Sequence, residues 1–410
     1  MKHASIVTIG NEILAGLTVD TNTAFLAKEL QNISIPVVST YTVADEIDSI
    51  VQKLEHAGSD ADIIIITGGL GPTDDDITRQ ALAKFLGVEL ELRQDILKKI
   101  QDYFKSRNFQ MPEKNKIQAY IPAGAKALAN IGTAPGILAE SQGKLYIALP
   151  GVPMEAQKMF ESVVPELKQF AGTQAVAVCR LKCFGAGESA IAEMLGDMMQ
   201  RGRNPLINCT VHTGIITLHI VATAQDEETA QKMCEKDEII LRNKLGELVY
   251  GTSDQTLAEV VSEKLTHQKK TIATAESCTG GLLAKLLTDI PGATNYFTYG
   301  WITYSNDAKI SELGVPVDLI ERYGAVSEQV AEAMAKSARK KAGTDFAIGI
   351  TGIAGPTGGT EKKPVGLVYI SMDYQGGCET NKYIFSFSRP FIRLRAAQTA
   401  LNTLRKRLID

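Results

Sequence analysis

The stretch TAESCTGGLL, residues 274–283, sets Ser277 beside Cys278 just ahead of Gly280 and Gly281. Either side chain becomes a nucleophile when deprotonated. Serine needs a base for that, and the histidines offer little: after residue 219 only His267 remains, inside the helical pattern of residues 255–267. Unless a distant domain lends a histidine, the base is of another type. Lysine serves once burial or neighbouring positive charge lowers its pKa. GWITYSNDAK supplies Lys309 shortly after an apolar strand, with Tyr304 at the strand's end. Cys278 would need a depressed pKa and has no histidine partner in view, so it is assigned to packing. The competing reading of the stretch is a helix cap formed by Ser277 or Thr279.

A second set lies in TGGLGPTDDDITR, which follows the apolar run DIIIIT directly. That places Gly68, Gly69 and Gly71, with Thr73, at the carboxyl end of a parallel strand, where α/β sheets bind ligands. Their backbone can approach an anion closely, and a helix starting near Ile77 would aim its N-terminus at the same place. Asp74, Asp75 and Asp76 would repel a phosphate there unless a hard cation such as Mg²⁺ bridges the two. An Asp-rich helix cap accounts for one of the three. Glu12 and Asp20 flank a glycine-containing loop after the first strand, with Asn22 two residues on, and loops from neighbouring parallel strands open on one side of a sheet. TAPG (133–136) and LPGVPMEAQKM (149–159) add two Gly/Pro turns, with Glu155 at the opening of a helix.

A third set is TGIAGPTGGTEKKPVG, residues 351–366. Gly352, Gly355, Gly358 and Gly359 offer backbone donors and Lys362 and Lys363 offer charge, as in a phosphate cradle; a surface loop is the plainer reading. Arg389 and Arg393 precede the end of the chain as candidate phosphate contacts, or as the solvated face of an amphipathic helix.

These residues need elements to position them. The first 170 residues alternate strands (ASIVTIG, IPVVSTYTV, DIIIITGG) with helical stretches at 21–32, 46–57 and 77–86, which predicts a parallel sheet covered on both faces. From 175 the pattern becomes a small α+β module: strand 175–184, helix 187–199, two strands about the HTG turn at 212–214, and a charged helix at 226–244. A third unit has helix 255–267, strand KTIATA, helix 280–288, strand YFTYGWITY, helix 327–341, strand DFAIGI, strands at 365–373 and 380–387, and a closing helix 390–408. Domains are therefore expected at 1–171, 172–250 and 251–410.

Composition narrows the class. With 44% hydrophobic and 22% charged residues, no apolar run near the ~18 of a membrane span and no signal-like segment behind Met1, a cytoplasmic globular protein is expected. A net charge of −4 gives no footprint for nucleic acid or membrane, and the six scattered cysteines read as reduced thiols.

Taken in order, GNEILAG, DTN, GGLGPTDDDITR, GTAPG, LPGVPME, AESCTGG, YSNDAK, GAVS and TGIAGPTGGTEKKPVG resemble the competence/damage-inducible CinA family over essentially the whole chain. The resemblance implies a multidomain α/β fold: a molybdopterin-binding-like parallel-sheet domain, a small KH-like module, and a C-terminal α/β deamidase domain. It implies hydrolysis of nicotinamide mononucleotide (NMN) to nicotinic acid mononucleotide, with Ser277, Tyr304, Lys309 and Thr351 as active-site positions. Backbone donors for the oxyanion are then expected at 279–281 or 351–352, and Thr279, Gly280, Gly281, the 352–362 loop and Arg393 as substrate contacts. For the N-terminal domain it implies cleavage of ADP-ribose to AMP and ribose 5-phosphate with Mg²⁺ or Co²⁺, for which Glu12, Asp20, Asp75 and Asp76 are the candidate ligands. The deamidase needs no cofactor, and a homodimer follows from the family alone. FSFSRPFIRLRAAQTAL departs from the family's Gly-Gly-Asp-Arg turn at Ser386, Phe387 and Ser388. The middle module lacks a GXXG clamp between two helices and reads as a connector, with Glu188 at the start of one helix. An N-terminal domain that only senses a nucleotide, and a non-enzymatic adaptor, are the rival readings.

Overall fold

The computed structural model describes residues 2–171 and 175–408. The expected boundary at 171/172 adjoins residues 172–174, which lie outside the described residues. The chain forms two compact units, Met1–Val178 with Ala222–Cys234, and Cys179–Val221 with Glu235–Asp410.

In the first unit the strands are β1 (Ala4–Ile9), β2 (Val37–Val43), β3 (Ile63–Thr67), β4 (Leu90–Leu92), β5 (Tyr120–Pro122), β6 (Lys126–Ala127), β7 (Ile137–Ser141) and β8 (Lys144–Leu149). Six form a sheet in the order β2-β1-β3-β8-β7-β6. The first four run parallel, as the βαβ alternation predicts, whereas β7 and β6 are antiparallel. The antiparallel edge is a correction to an all-parallel expectation: β7 and β8 are joined by the short turn Gln142–Gly143, too brief for a crossover helix. Ile63–Ile66 and all of β1 are buried because the sheet is covered twice. Val7, Ile64 and Ile66 face a core shared with Ile50, Leu54 and Leu82, while Ile6, Ile63 and Ile65 face one shared with Leu26, Leu30 and Phe160.

The middle strands are β9 (Ala175–Cys183), β10 (Leu206–His212), β11 (Ile215–Ala224) and β12 (Val249–Thr252), in the order β10-β11-β9-β12. The helix predicted at 187–199 is α only over Glu188–Leu195; Gly196, at φ +53, turns the rest into a 3₁₀ segment.

The C-terminal strands β13 (Ile272–Glu276), β14 (Phe297–Ile302), β15 (Phe346–Gly352), β16 (Leu367–Tyr374) and β17 (Gly377–Ile384) are ordered β14-β13-β15-β16-β17. β13 pairs in parallel with β14 and β15; the other pairs are antiparallel. One face carries Ile272, Ile348 and Ile350 against helices Leu257–His267, Leu282–Thr288 and Arg389–Arg407. The other carries Ala273, Ala275 and Ala347 against Glu328–Ala342. That helix sits so close that a Cβ at Gly349 would lie 2.8 Å from the Ala335 nitrogen. The last strand ends at Ile384, not 387, because Phe387 adopts φ +83 and turns the chain into the final helix.

Candidate active sites

Ser277 follows β13 directly, and its amide donates to Ile350 O (2.9 Å), fixing it to the neighbouring strand. Lys309 comes from helix Asn306–Leu313, whose first turn is capped by Ser305 through Ala308 N (3.0 Å). The lysine is 1% exposed. Its Nζ lies 3.0 Å from Ser277 Oγ, 2.8 Å from Thr303 O and 3.5 Å from Tyr304 O. Carbonyl oxygens only accept, so a neutral amine gives its two hydrogens to Thr303 and Tyr304 and turns its lone pair to the serine hydroxyl. Burial lowers the Lys309 pKa from 10.5 to about 8. No carboxylate forms an ion pair with it among the described residues.

A carboxylate does lie next to the nucleophile in sequence. Glu276 is fully buried, yet its two oxygens accept from Leu283 N (3.0 Å) and Ala284 N (2.8 Å), capping helix Leu282–Thr288. Its carbonyl takes Thr303 N (2.9 Å), so the residue ties together three segments that meet at the serine and lysine. Cys278 packs into the core, and burial pushes its thiol up to about 12. It is no thiolate at neutral pH.

The other C-terminal candidates are distributed differently from expectation. Tyr304 presents its main-chain oxygen to Lys309, while its 59% exposed side chain accepts from Arg389 Nη2 (2.8 Å). Among the described residues the phenol makes no hydrogen bond to the pair. Thr351 is buried and donates to Ala325 O (2.8 Å). Arg393 donates Nε and Nη2 to Thr279 O (3.2 and 2.6 Å), and Arg389 Nη1 donates to Gly355 O (2.8 Å). The two arginines hold the loops around the serine. The amide of Gly280 is taken by Ser277 O (3.0 Å), whereas those of Thr279 and Gly281 donate to no backbone carbonyl among the described residues. In the glycine loop, Gly352 lets β16 approach, since a Cβ there would lie 2.7 Å from Leu367 O, and Gly355 and Gly359 pack on Val365. Gly358 holds φ +86. Lys363 spends its ammonium on Tyr323 O (2.6 Å) and Val326 O (2.7 Å); Lys362 is exposed.

Of the N-terminal candidates, Glu12, Asp20, Gly68, Gly69, Gly71, Asp75 and Asp76 line one cavity of about 430 Å³ at the carboxyl ends of β1, β3 and β8, whereas Thr73 is outside its lining and is exposed. Gly68 is required there: at φ +106, a Cβ would collide with Ile9 O. Arg79, 1% exposed, threads beneath the loop and donates to Leu70 O (2.6 Å) and Gly71 O (2.8 Å). Burial lowers its pKa to about 10, against the opposing charge of Asp76. Asp76 accepts from Gly71 N and Thr73 N (each 2.8 Å) and from the Thr73 hydroxyl, while Asp20 caps helix Thr21–Asn32 through Thr23 N (2.9 Å) and Thr23 Oγ1 (2.6 Å). Glu12 and Asp75 are exposed, and the Thr73 hydrogen bond holds Asp75 below its ordinary pKa. Asp74 lies 3.8 Å from Lys114. Asn22 donates Nδ2 to Thr67 Oγ1 and Gly151 O (each 2.9 Å), and its buried Oδ1 has no partner among the described residues. Burial raises Glu155. Among the described residues no three His, Cys, Asp or Glu side chains come together as a metal set. All four predicted ligands thus line the cavity, two as structural caps and two as exposed carboxylates, without closing on a common point.

Arg79, Glu276 and the clamp role of Arg393 are what the sequence did not give. Arg79 closes the DDDITR motif, but burial of an arginine leaves no mark on sequence.

Fold and sites together define a mixed α/β multidomain protein with a mostly parallel-sheet N-terminal domain, a small α+β module and a C-terminal domain built round a serine and a buried lysine. Residues 5–169 match the family described as "Probable molybdopterin binding domain", 180–251 "Damage-inducible protein CinA KH domain" and 254–408 "CinA C-terminal domain". The chain is 42% identical over 99% of both chains to a competence-damage inducible protein, so named, of Caldicellulosiruptor bescii, and 41% identical over 99% of both to a CinA-like protein of Kosmotoga olearia. The crystal structure of CinA from Thermoplasma acidophilum is similar at 35% identity, covering 40% of this chain and 98% of that one, with a TM-score of 0.38. The chain belongs to the CinA family of competence/damage-inducible proteins.

Proposed function

We propose that the C-terminal domain hydrolyses the carboxamide of NMN. The observation that carries this reading is the 3.0 Å approach of a buried lysine to Ser277 Oγ. Neutral Lys309 takes the serine proton as Oγ attacks the carboxamide carbon. The amides of Thr279 and Gly281 serve the oxyanion, Lys309 returns its proton to the departing nitrogen, and ammonia leaves. Water, deprotonated by the same lysine, then releases nicotinic acid mononucleotide. Tyr304 contributes its carbonyl to orienting Nζ; its phenol, held by Arg389, lines the approach. Purified protein given NMN should release ammonia, and Ser277→Ala should slow this by on the order of 10³ or more. Near-normal release by that variant would reject the assignment.

For the N-terminal domain we propose binding and cleavage of ADP-ribose at its diphosphate. Gly68, Gly69 and Gly71 let the backbone reach the phosphates, and Arg79 holds the loop in that shape. The carboxylates give hard oxygen donors but no closed set, which suits a cation shared with substrate oxygens over a resident ion. Glu12 and Asp75 would hold it, and it would offset diphosphate charge. Binding without cleavage is the rival, favoured by the use of Asp20 and Asp76 as caps.

A further inference from the structure

Neither proposed reaction uses a cleft of about 530 Å³ between β17 and the C-terminal helix Arg389–Arg407. One wall is aromatic. Tyr383 and Phe385 present nearly parallel rings, 5.6 Å between centroids and 6° between planes. Both are half-buried. Facing them, Arg395, Asn402 and Lys406 fall on one stripe of the helix, at spacings of seven and four residues.

The donors on that stripe are under-used. Arg395 gives Nη1 to Gly214 O (2.9 Å) and lies 4.5 Å over the Phe184 ring; among the described residues its remaining N–H groups donate to nothing. Asn402 is only 8% exposed, and its Oδ1 accepts from Arg405 Nε (3.0 Å), but its Nδ2 donates to nothing among the described residues. An amide donor with no protein acceptor at the edge of a cleft is available to a ligand oxygen. Lys406 pairs with Glu247 (3.0 Å) at a half-exposed site, where an ion pair contributes little and is readily exchanged. Glu379 is the carboxylate on the strand side, at the end of β17 away from Phe385. The Tyr383 hydroxyl hydrogen-bonds Thr403 on the helix, so the cleft is lined by two aromatic rings at its strand side and by cationic and amide donors along the helix, the complement of an anion that carries an aromatic ring.

We propose that this cleft is a separate nucleotide site, taking a nucleoside monophosphate with its base against Tyr383 and Phe385 and its phosphate toward Arg395, Asn402 and Lys406. The assignment is independent of either reaction proposed above. Calorimetric titration of the full chain with adenosine 5′-monophosphate tests it, with ribose 5-phosphate and adenosine as controls. The nucleotide should bind at least about tenfold more tightly than either fragment. Lys406→Glu and Tyr383→Leu should each weaken that binding about tenfold or more. Lys406→Glu should not change the unfolding midpoint by much, since Lys406 is half-exposed, and Tyr383→Leu should lower it by no more than the loss of the Tyr383–Thr403 hydrogen bond. Binding in the cleft is told from AMP held as product in the N-terminal cavity because the two cleft variants, and not Ser277→Ala or Asp75→Asn, should reduce it. No binding by about 10 mM nucleotide would overturn the proposal. So would binding that both cleft variants retain, or ribose 5-phosphate binding as well as the nucleotide.

Discussion

Lys309 is placed where a charge is costly and a lone pair is useful. Its midpoint near 8 means that, between about pH 8 and the ordinary 10.5, the unfolded chain keeps a proton the folded chain has shed. Stability attributable to this residue therefore rises with pH across that window, and below it the folded chain bears the whole desolvation cost. Deamidation should rise with pH to a plateau with its midpoint near 8. Lys309→Met should abolish ammonia release yet raise the unfolding temperature at pH 7, by at most ~2–3 kcal/mol of added stability. The gain should shrink by pH 10 as the wild type sheds its proton. A Met variant that is less stable than wild type by the same margin at both pH values would show that the lysine's hydrogen bonds to Thr303 and Tyr304 outweigh its burial. Cys278, one residue from the nucleophile, should stay unmodified by iodoacetamide at pH 8, because its thiol is buried and titrates near 12.

Among the elements, the end of β13 is held from two sides: Glu276 caps the following helix, and Arg393 grips Thr279 O from the C-terminal helix. Sequence offered two roles for Arg393, phosphate contact or solvated face. The structure gives it a third, and kinetics distinguish them. As a clamp, Arg393→Met should lower kcat for NMN by about 10- to 100-fold with little change in KM, since misplacing a nucleophile affects the reacting geometry. A raised KM with unchanged kcat would return Arg393 to the phosphate. What sequence could and could not show divides along the same line. Runs such as IIIIT and ASIVTI, buried on both faces, announce central parallel strands, and the absence of a usable histidine leads to Lys309. The antiparallel edge β7–β6, the amphipathic helix Gln94–Ser106 and the short helix Val317–Tyr323 are not in that reading. Their formation depends on what they pack against. The same holds for Tyr304, where only the turn after β14 decides whether phenol or carbonyl meets the lysine.

At the scale of the whole molecule, each of the two units holds one of the two proposed active sites, so changes in one should leave the other's chemistry alone. The acidic loop gives this a sharp form, because neighbouring carboxylates there have different structural duties. Asp76 receives two amides and a hydroxyl of its own loop, so Asp76→Asn replaces an acceptor with a donor facing those N–H groups and should cost on the order of 1–3 kcal/mol of stability together with activity on ADP-ribose. Asp75 is exposed, with one hydrogen bond to Thr73, so Asp75→Asn should leave the unfolding midpoint nearly unchanged while removing a cation ligand. AMP release from ADP-ribose should then require added Mg²⁺ or Co²⁺, stop with chelator, and fall steeply in Asp75→Asn, while ammonia release from NMN continues in all of these conditions. Binding of ADP-ribose with no AMP formed under any metal would leave the N-terminal domain as a nucleotide sensor. Cleavage that survives both chelator and Asp75→Asn would instead mean that the glycine loop held by Arg79 carries the chemistry without a cation.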